Sequence, residues 1–391
     1  MKLPIYLDHN ATTPLDPRVL EAMLPVLGEA FGNAASAEHR VGWQAAERVE
    51  IAREEVAAAI GCEPREIVFT SGATESNNLA LKGICEAYHR QGDAIVTVAT
   101  EHPAVLDPCA TLERRGVRVT RLAVGADGRV DPAAVEAAID ARTVLVSVMV
   151  ANHEIGTLQP IEAIGRITRR RGVLLHCDAA QAVGKVPLDV RALGIDLLSI
   201  SAHKLYGPQG IGALYVRARD PRVRLVPQMD GGGHEQGRRS GTTNLPGVVG
   251  LGAACRLAGE GLDAEAERLR TLAARFLERL RGGLPEVRVN GSLEHRLPGQ
   301  LHLTLPGVPV EELLVRVREL AVSSGSACAS ARPGPSHVLE AIGMPAAARR
   351  SSFRIGIGRF NTAAEIDFAA ERLVAEARRC GGSRQDVPAG P

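Results

Sequence analysis

Leu197-Leu198-Ser199-Ile200-Ser201-Ala202-His203-Lys204-Leu205-Tyr206-Gly207-Pro208-Gln209-Gly210 sets a short apolar run directly against a polar Ser-x-His-Lys and a glycine-rich turn. Such a run, residues 197–201, reads as a buried strand, and the glycines after it allow another group to approach closely. Outward from it, between about residues 60 and 220, similar Val- and Ile-rich runs alternate with helical patterns. That alternation predicts a parallel sheet covered by helices. The expected strands are Glu66 to Thr70, Ala94 to Ala99, Val117 to Leu122, Thr143 to Met149, Gly172 to Cys177, Leu197 to Ser201 and Gly212 to Val216. Seven strands make one large, mostly parallel sheet of α/β class.

Helices fall between the strands. Gln44 to Ile60 aligns Val49, Ala52, Val56 and Ile60 on one face, and Gly61 supplies the stop. Asp131-Pro132 opens another with a capping acid and a proline in the first turn. After Gly231-Gly232-Gly233 the pattern changes to long helices, Leu245 to Gly259 and Asp263 to Leu280. Shorter strands follow near Gln300 to Leu305 and Phe353 to Ile357, and Thr362-x-x-Glu365 is a capping box for a last helix. The expected division is a large domain over 15–260 and a smaller α+β domain built from 1–14 and 261–391, with a frayed polar tail from Gly381.

With 45% apolar and 23% charged residues among 391, and a formal net charge of +1, the composition is that of a soluble globular chain. No global field draws it to nucleic acid or a membrane, so the expected partner is small. No run approaches the ~20 apolar residues of a membrane helix, and Met1-Lys2-Leu3-Pro4 lacks a signal peptide's apolar core, which gives a cytoplasmic expectation. The seven cysteines are never spaced C-x-x-C, suggesting neither a disulfide framework nor a metal site.

Ligands of open parallel sheets bind beyond the strands' carboxyl ends. There Thr70-Ser71-Gly72-Ala73-Thr74-Glu75-Ser76 leads straight into a helix; its amides and the Thr74 hydroxyl suit a phosphate, and the turn serves equally as an ordinary N-cap. His102, after another strand, offers a flat ring for stacking and proton exchange, or a structural histidine. Asp178 ends a buried strand and needs a partner, either a protonated pyridine nitrogen or the amides of a helix it caps. Only four lysines exist: Lys2 is terminal, Lys82 mid-helix, and Lys185 in a plain loop before Pro187. Lys204 alone combines a strand end, polar neighbours and a tight turn, which selects it over a mere surface lysine as an imine-forming amine. Cys328, within Ser323-Ser324-Gly325-Ser326-Ala327-Cys328-Ala329-Ser330, sits among small residues as a travelling nucleophilic thiol would. The other six cysteines read as small hydrophobes.

At these residues the chain resembles the cysteine desulfurases of iron-sulfur cluster assembly, members of the class V aminotransferase family with fold-type I architecture. The match runs from Tyr6-Leu7-Asp8-x-x-Ala11-Thr12-Thr13-Pro14 to Arg359-Phe360, and includes Phe69 to Ser76, His203-Lys204, Arg239-Ser240-Gly241-Thr242 and Ser323 to Cys328. The resemblance implies pyridoxal 5'-phosphate on Lys204, its phosphate held by Ala73, Thr74, Ser201 and His203, its ring stacked by His102, its pyridine nitrogen met by Asp178 and its phenolic oxygen by Gln181. It further implies that Thr242 reaches a neighbouring subunit's phosphate in a homodimer and that Arg354 clamps the substrate carboxylate. Cys328 would carry the sulfur of L-cysteine as a persulfide to acceptors such as an iron-sulfur scaffold. The rival readings are a selenocysteine lyase or other β-lyase with the same cofactor, and a non-catalytic adaptor.

The chain departs from the family in two places. His153, in Asn152-His153-Glu154, replaces the usual second asparagine, so a cofactor contact falls on an imidazole that is expected to add pH sensitivity. Ala202 replaces the usual glycine before His203, a tolerable change. The tail is also shorter than in some relatives, so scaffold docking is not carried over to it.

Overall fold

The computed structural model describes residues 2–324 and 336–382. In chain order the elements are β1 (Ile5–Tyr6), α1 (Pro17–Leu27), α2 (Arg40–Ile60), β2 (Ile67–Thr70), α3 (Ala73–Tyr88), β3 (Ala94–Val98), α4 (Pro103–Arg114), β4 (Arg118–Leu122), α5 (Pro132–Ala138), β5 (Thr143–Ser147), α6 (Ile161–Arg171), β6 (Leu174–Asp178), β7 (Leu197–Ser201), β8 (Gly212–Val216), α7 (Leu245–Glu260) and α8 (Leu262–Gly283). Then follow β9 (Arg288–Val289), β10 (Gln300–Thr304), α9 (Val310–Arg316), β11 (Leu320–Ala321), α10 (His337–Ala341), α11 (Ala346–Arg350), β12 (Ser352–Gly356) and α12 (Ala363–Gly382).

All seven expected strands join one sheet, in the order β2-β8-β7-β6-β5-β3-β4, with only β8 running against its neighbours. Every residue of β6 and β7 is buried, as a sheet covered on both faces requires. One apolar cluster joins the sheet to α1, α2 and α7 through residues such as Met23, Val56, Ile200 and Leu251, while another joins it to α3 and α4 through Leu81, Ile84 and Val105.

Helix ends follow their caps. Gly61 stops α2 in the left-handed conformation, φ 70°, as its sequence position suggests. The helix starts earlier than Gln44, at Arg40, because the His39 ring accepts from the Gly42 amide at 3.1 Å. Asp131 caps α5, and Thr362 and Glu365 exchange the two bonds of a capping box at the start of α12.

A third cluster, centred on Phe276, Leu313, Phe353 and Leu373, unites α8, α9, β10, β12 and α12. Ile5 and Leu7 from the N-terminus are part of it, and β1 pairs in parallel with β11. The N-terminal segment is thereby pinned to the C-terminal elements, and it then crosses the rim of the large sheet, where the Asn10 carbonyl meets Lys204.

Phe276 is fully buried in this third cluster. Phe276→Ala should lower the unfolding free energy by about 3–5 kcal/mol, from lost transfer energy and an unfilled cavity. Urea denaturation of the two proteins checks this; an unchanged midpoint would contradict the packing.

Candidate functional site

The carboxyl ends of β2, β6 and β7 open onto one cavity of about 580 Å³, lined among others by Ala73, Thr74, His102, His153, Asp178, Gln181, Ser201, His203 and Lys204. Parallel pairing causes this convergence. Asp178 lies opposite Ser199, so the carboxylate ending β6 and the turn after β7 must face one space.

At the start of α3 the N-cap residue is Gly72, φ 150°, with no side chain to cap the helix. The first helical amides are left to an external acceptor, which favours an anion site over the ordinary cap that the sequence leaves equally open. His203 stands nearby with its Nδ1 3.0 Å from Thr12 Oγ1, and burial, followed by the Lys204 and Lys185 charges, pushes its pKa down to about 4. It is therefore a neutral hydrogen-bonding group at physiological pH.

Lys204 closes a short 3-10 turn, Ala202–Lys204, and Tyr206 beyond it holds a left-handed φ of 65°. That strained position is fixed by the Tyr206 amide donating to Thr13 Oγ1 at 2.8 Å. Lys204 Nζ donates to the carbonyls of Asn10, 2.5 Å, and Ala11, 2.7 Å. Asp178 is buried, and its two oxygens accept from Asn77 Nδ2 at 2.7 Å and the Ala180 amide at 2.9 Å. Cap and site roles coexist here: one oxygen caps the following turn, and neither donor is charged, so a cationic ring nitrogen complements the carboxylate.

His102 likewise does both jobs. Its Nδ1 accepts from the Ala104 amide at 3.0 Å, capping α4, which leaves Nε2 as the N–H. Burial depresses its pKa, only partly opposed by Asp178. His153 meets this ring edge-on at 4.9 Å, and its Nδ1 is buried without a partner among the described residues. Burial first, then the neighbouring histidines, drives the His153 pKa well below the ordinary range. Burial thus favours the neutral imidazole, against the pH sensitivity expected from this substitution.

A carboxyl drawn towards neutrality by burial is next door. Glu154 is buried, accepts from Ser336 Oγ at 2.5 Å, and is raised to about 7 by desolvation. Lys185 is a second departure from expectation. The sequence reads it as a plain loop residue, but it is partly buried, its Nζ donates to Gln181 Oε1 at 3.3 Å, and burial together with Lys204 lowers its pKa to about 7. Gln181 is held from its other end by Asn10, whose carbonyl accepts from Nε2 at 2.9 Å. Sequence reasoning misses Asn10 and Lys185, which hold Gln181 in place; the four-residue step from Gln181 to Lys185 is the only local signal.

Two expected residues lie outside the cavity. Thr242 is exposed and does not line it, and Arg354 is fully buried behind the wall. Cys328 falls within 325–335, outside the described residues. Among the described residues no cluster of metal-ligating side chains occurs.

Residues 5–368 match the family described as Aminotransferase class-V. The chain belongs to the class V aminotransferase family. Within the family, it is 57% identical to the cysteine desulfurase IscS of Anaeromyxobacter dehalogenans (strain 2CP-C) over 94% of this chain and 91% of that relative. It superposes on a solved NifS-like protein with a TM-score of 0.88 at 36% identity, covering 95% of this chain and 98% of the other. A second structure, SspA in complex with cysteine, has a TM-score of 0.81 at 38% identity, covering 92% and 100%. The fold is that of the family's pyridoxal-phosphate enzymes, and the capless helix, the acid at β6 and the lysine after β7 fit that cofactor.

Glu154 gives a pH test. Its folded pKa of about 7 lies above the ordinary 4.5, so its contribution to stability is complete below about pH 4.5 and is lost as pH rises through 7, by roughly 3 kcal/mol in all. Glu154→Gln should flatten the fall in stability between about pH 5 and 8. Identical slopes in denaturation series of both proteins would contradict the burial assigned to this carboxyl.

Proposed function

We infer that this chain is a pyridoxal-phosphate-dependent cysteine desulfurase that converts L-cysteine to L-alanine and passes the sulfur on as a persulfide. The observation that carries the reading is the juxtaposition of Lys204 with Asp178 in one cavity whose third wall is an uncapped helix start. A relative named cysteine desulfurase at 57% identity supports it. The two-domain division at residues 14/15 and 260/261 is proposed with it, supported by the separate cores containing α7 and α8.

In this proposal Ala73, Thr74, Ser201 and His203 hold the phosphate, His102 covers the ring, Asp178 faces the pyridine nitrogen, Gln181 the phenolic oxygen and Arg354 the substrate carboxylate. When bound, the cofactor supplies an electron-withdrawing ring that makes the substrate's α-proton labile. Lys204 Nζ, which lines the same cavity, would take that proton from the α-carbon. His102, which lines the same cavity and whose ring burial favours as neutral, would relay protons through Nε2. Cys328 attacks the substrate sulfur as a thiolate; the Cβ–S bond breaks, the S–S bond of a persulfide forms, and the organic part leaves as alanine after protonation and hydrolysis. Burial pushes the thiols of Cys85, Cys109 and Cys255 up to about 12, which makes these three poor candidates for this step.

A homodimer is proposed as the working unit, with Thr242 reaching the partner subunit's phosphate. One face of α1 supports it, exposing Leu20, Leu24 and Leu27, followed by Phe31 at 65% exposure. Among the described residues no helix is long and apolar enough to cross a membrane. A cytoplasmic setting is proposed, since a working thiol must be kept reduced. The proposed sulfur acceptors are iron-sulfur scaffold or thiolation proteins.

Incubation with L-cysteine and a reductant should yield sulfide and alanine in equal amounts. Cys328→Ala should abolish both; retention of most turnover would instead indicate a β-lyase, and no turnover in the unaltered protein an adaptor. His153→Asn should leave the pH profile of turnover between about pH 6 and 8 unchanged, because a neutral donor replaces a neutral imidazole. A displaced profile would show that His153 titrates there.

A further inference from the structure

Arg354, the proposed seat of the substrate carboxylate, already holds a carboxylate. Its side chain is 0% exposed; Nη2 donates to Asp8 Oδ1 at 2.7 Å and Nη1 to the His153 carbonyl at 2.9 Å. Its Nε is buried with no partner among the described residues. A guanidinium presents donors along edges that each match one carboxylate, so the fork here is only partly used.

Both backbones are pinned, Asp8 by a bridge to Gly356, and the two partners differ in side-chain exposure. Arg354 lies within β12, its amide bonded to the Ser323 carbonyl at 2.9 Å and its strand paired along β10, so the cation is fixed in place. Asp8 follows the two-residue β1, keeps 15% of its side chain exposed, and is steadied by a long 3.3 Å bond from Ser323 Oγ. The cavity is one layer away, since His153, Ala11 and Thr12 all line it. A buried guanidinium without a counter-charge is costly, which gives Asp8 a role before substrate arrives.

We propose that Asp8 is an internal stand-in for the substrate's carboxylate: it neutralises Arg354 until an α-amino acid binds, and then yields an edge of the guanidinium to it. Rivalry between the two carboxylates sets the KM for cysteine. It also makes the site discriminate against amines without a carboxylate, which cannot displace Asp8. This inference rests on the desulfurase reading and adds a specificity-determining residue to it.

Asp8→Asn keeps an oxygen facing Arg354 and removes the charge. In cofactor-loaded protein this variant should unfold at a lower temperature than the unaltered enzyme and be raised by added L-alanine by a larger shift, because the ligand then supplies the missing counter-charge. The KM for cysteine should fall at least ~3-fold, with kcat within about twofold. If Asp8→Asn does not fold, Ser323→Ala, which loosens Asp8, should lower KM in the same direction. An alanine-induced shift no larger than in the unaltered enzyme, or a KM that stays or rises, overturns the proposal. Cysteine turnover by the unaltered enzyme with an unchanged variant KM rejects this role alone, whereas absent turnover rejects the desulfurase reading itself.

Discussion

The parallel pairing of β6 with β7 is the constraint on which the rest of the molecule depends. With Asp178 set opposite Ser199, the acid and the Lys204 turn must emerge on the same rim. The antiparallel pairing of β8 with β7 brings Gly212 beside this rim, where a Cβ would strike the Ile200 carbonyl and come within 2.7 Å of the Gly72 backbone. The glycine lets the start of α3, with its unclaimed amides, close the third side. The N-terminal segment completes the enclosure, because β1 is tied to β11 and the next residues cross the cavity mouth, where the carbonyls of Asn10 and Ala11 receive Lys204.

Burial then decides which groups hold charge. His102, His153 and His203 are all depressed by desolvation, so the imidazoles around the cavity act as neutral donors and acceptors. The same desolvation brings Glu154 and Lys185 towards neutrality from opposite sides, each to about 7. A low-dielectric enclosure strengthens every remaining ionic contact, which is why one carboxylate at Arg354 matters and why a cation opposite Asp178 would be held firmly.

The sheet is legible in the sequence because six of its seven strands are buried throughout, all but β4: β7 and β8 fall within the expected bounds, and others shift by one or two residues at their ends. Lys204, Asp178 and His102 are legible because each lies at the end of a strand or just beyond it. The start of α2 is not, since a histidine does the capping usually done by Ser, Thr, Asp or Asn. Two-residue strands such as β1 are too short to show a period. Contacts that join distant parts of the chain are also hidden. Asp8 meets Arg354 across 346 positions, and Lys185 looks like a loop residue until the fold sets it behind Gln181.

The central claim is that Lys204, rather than the other lysine drawn into the site, bears the cofactor. Borohydride reduction of the pyridoxal-phosphate-loaded protein, followed by proteolysis and mass mapping, tests it directly. The account predicts one reduced pyridoxyl adduct, on the peptide containing Lys204. An adduct on Lys185, or none on either peptide, would contradict it.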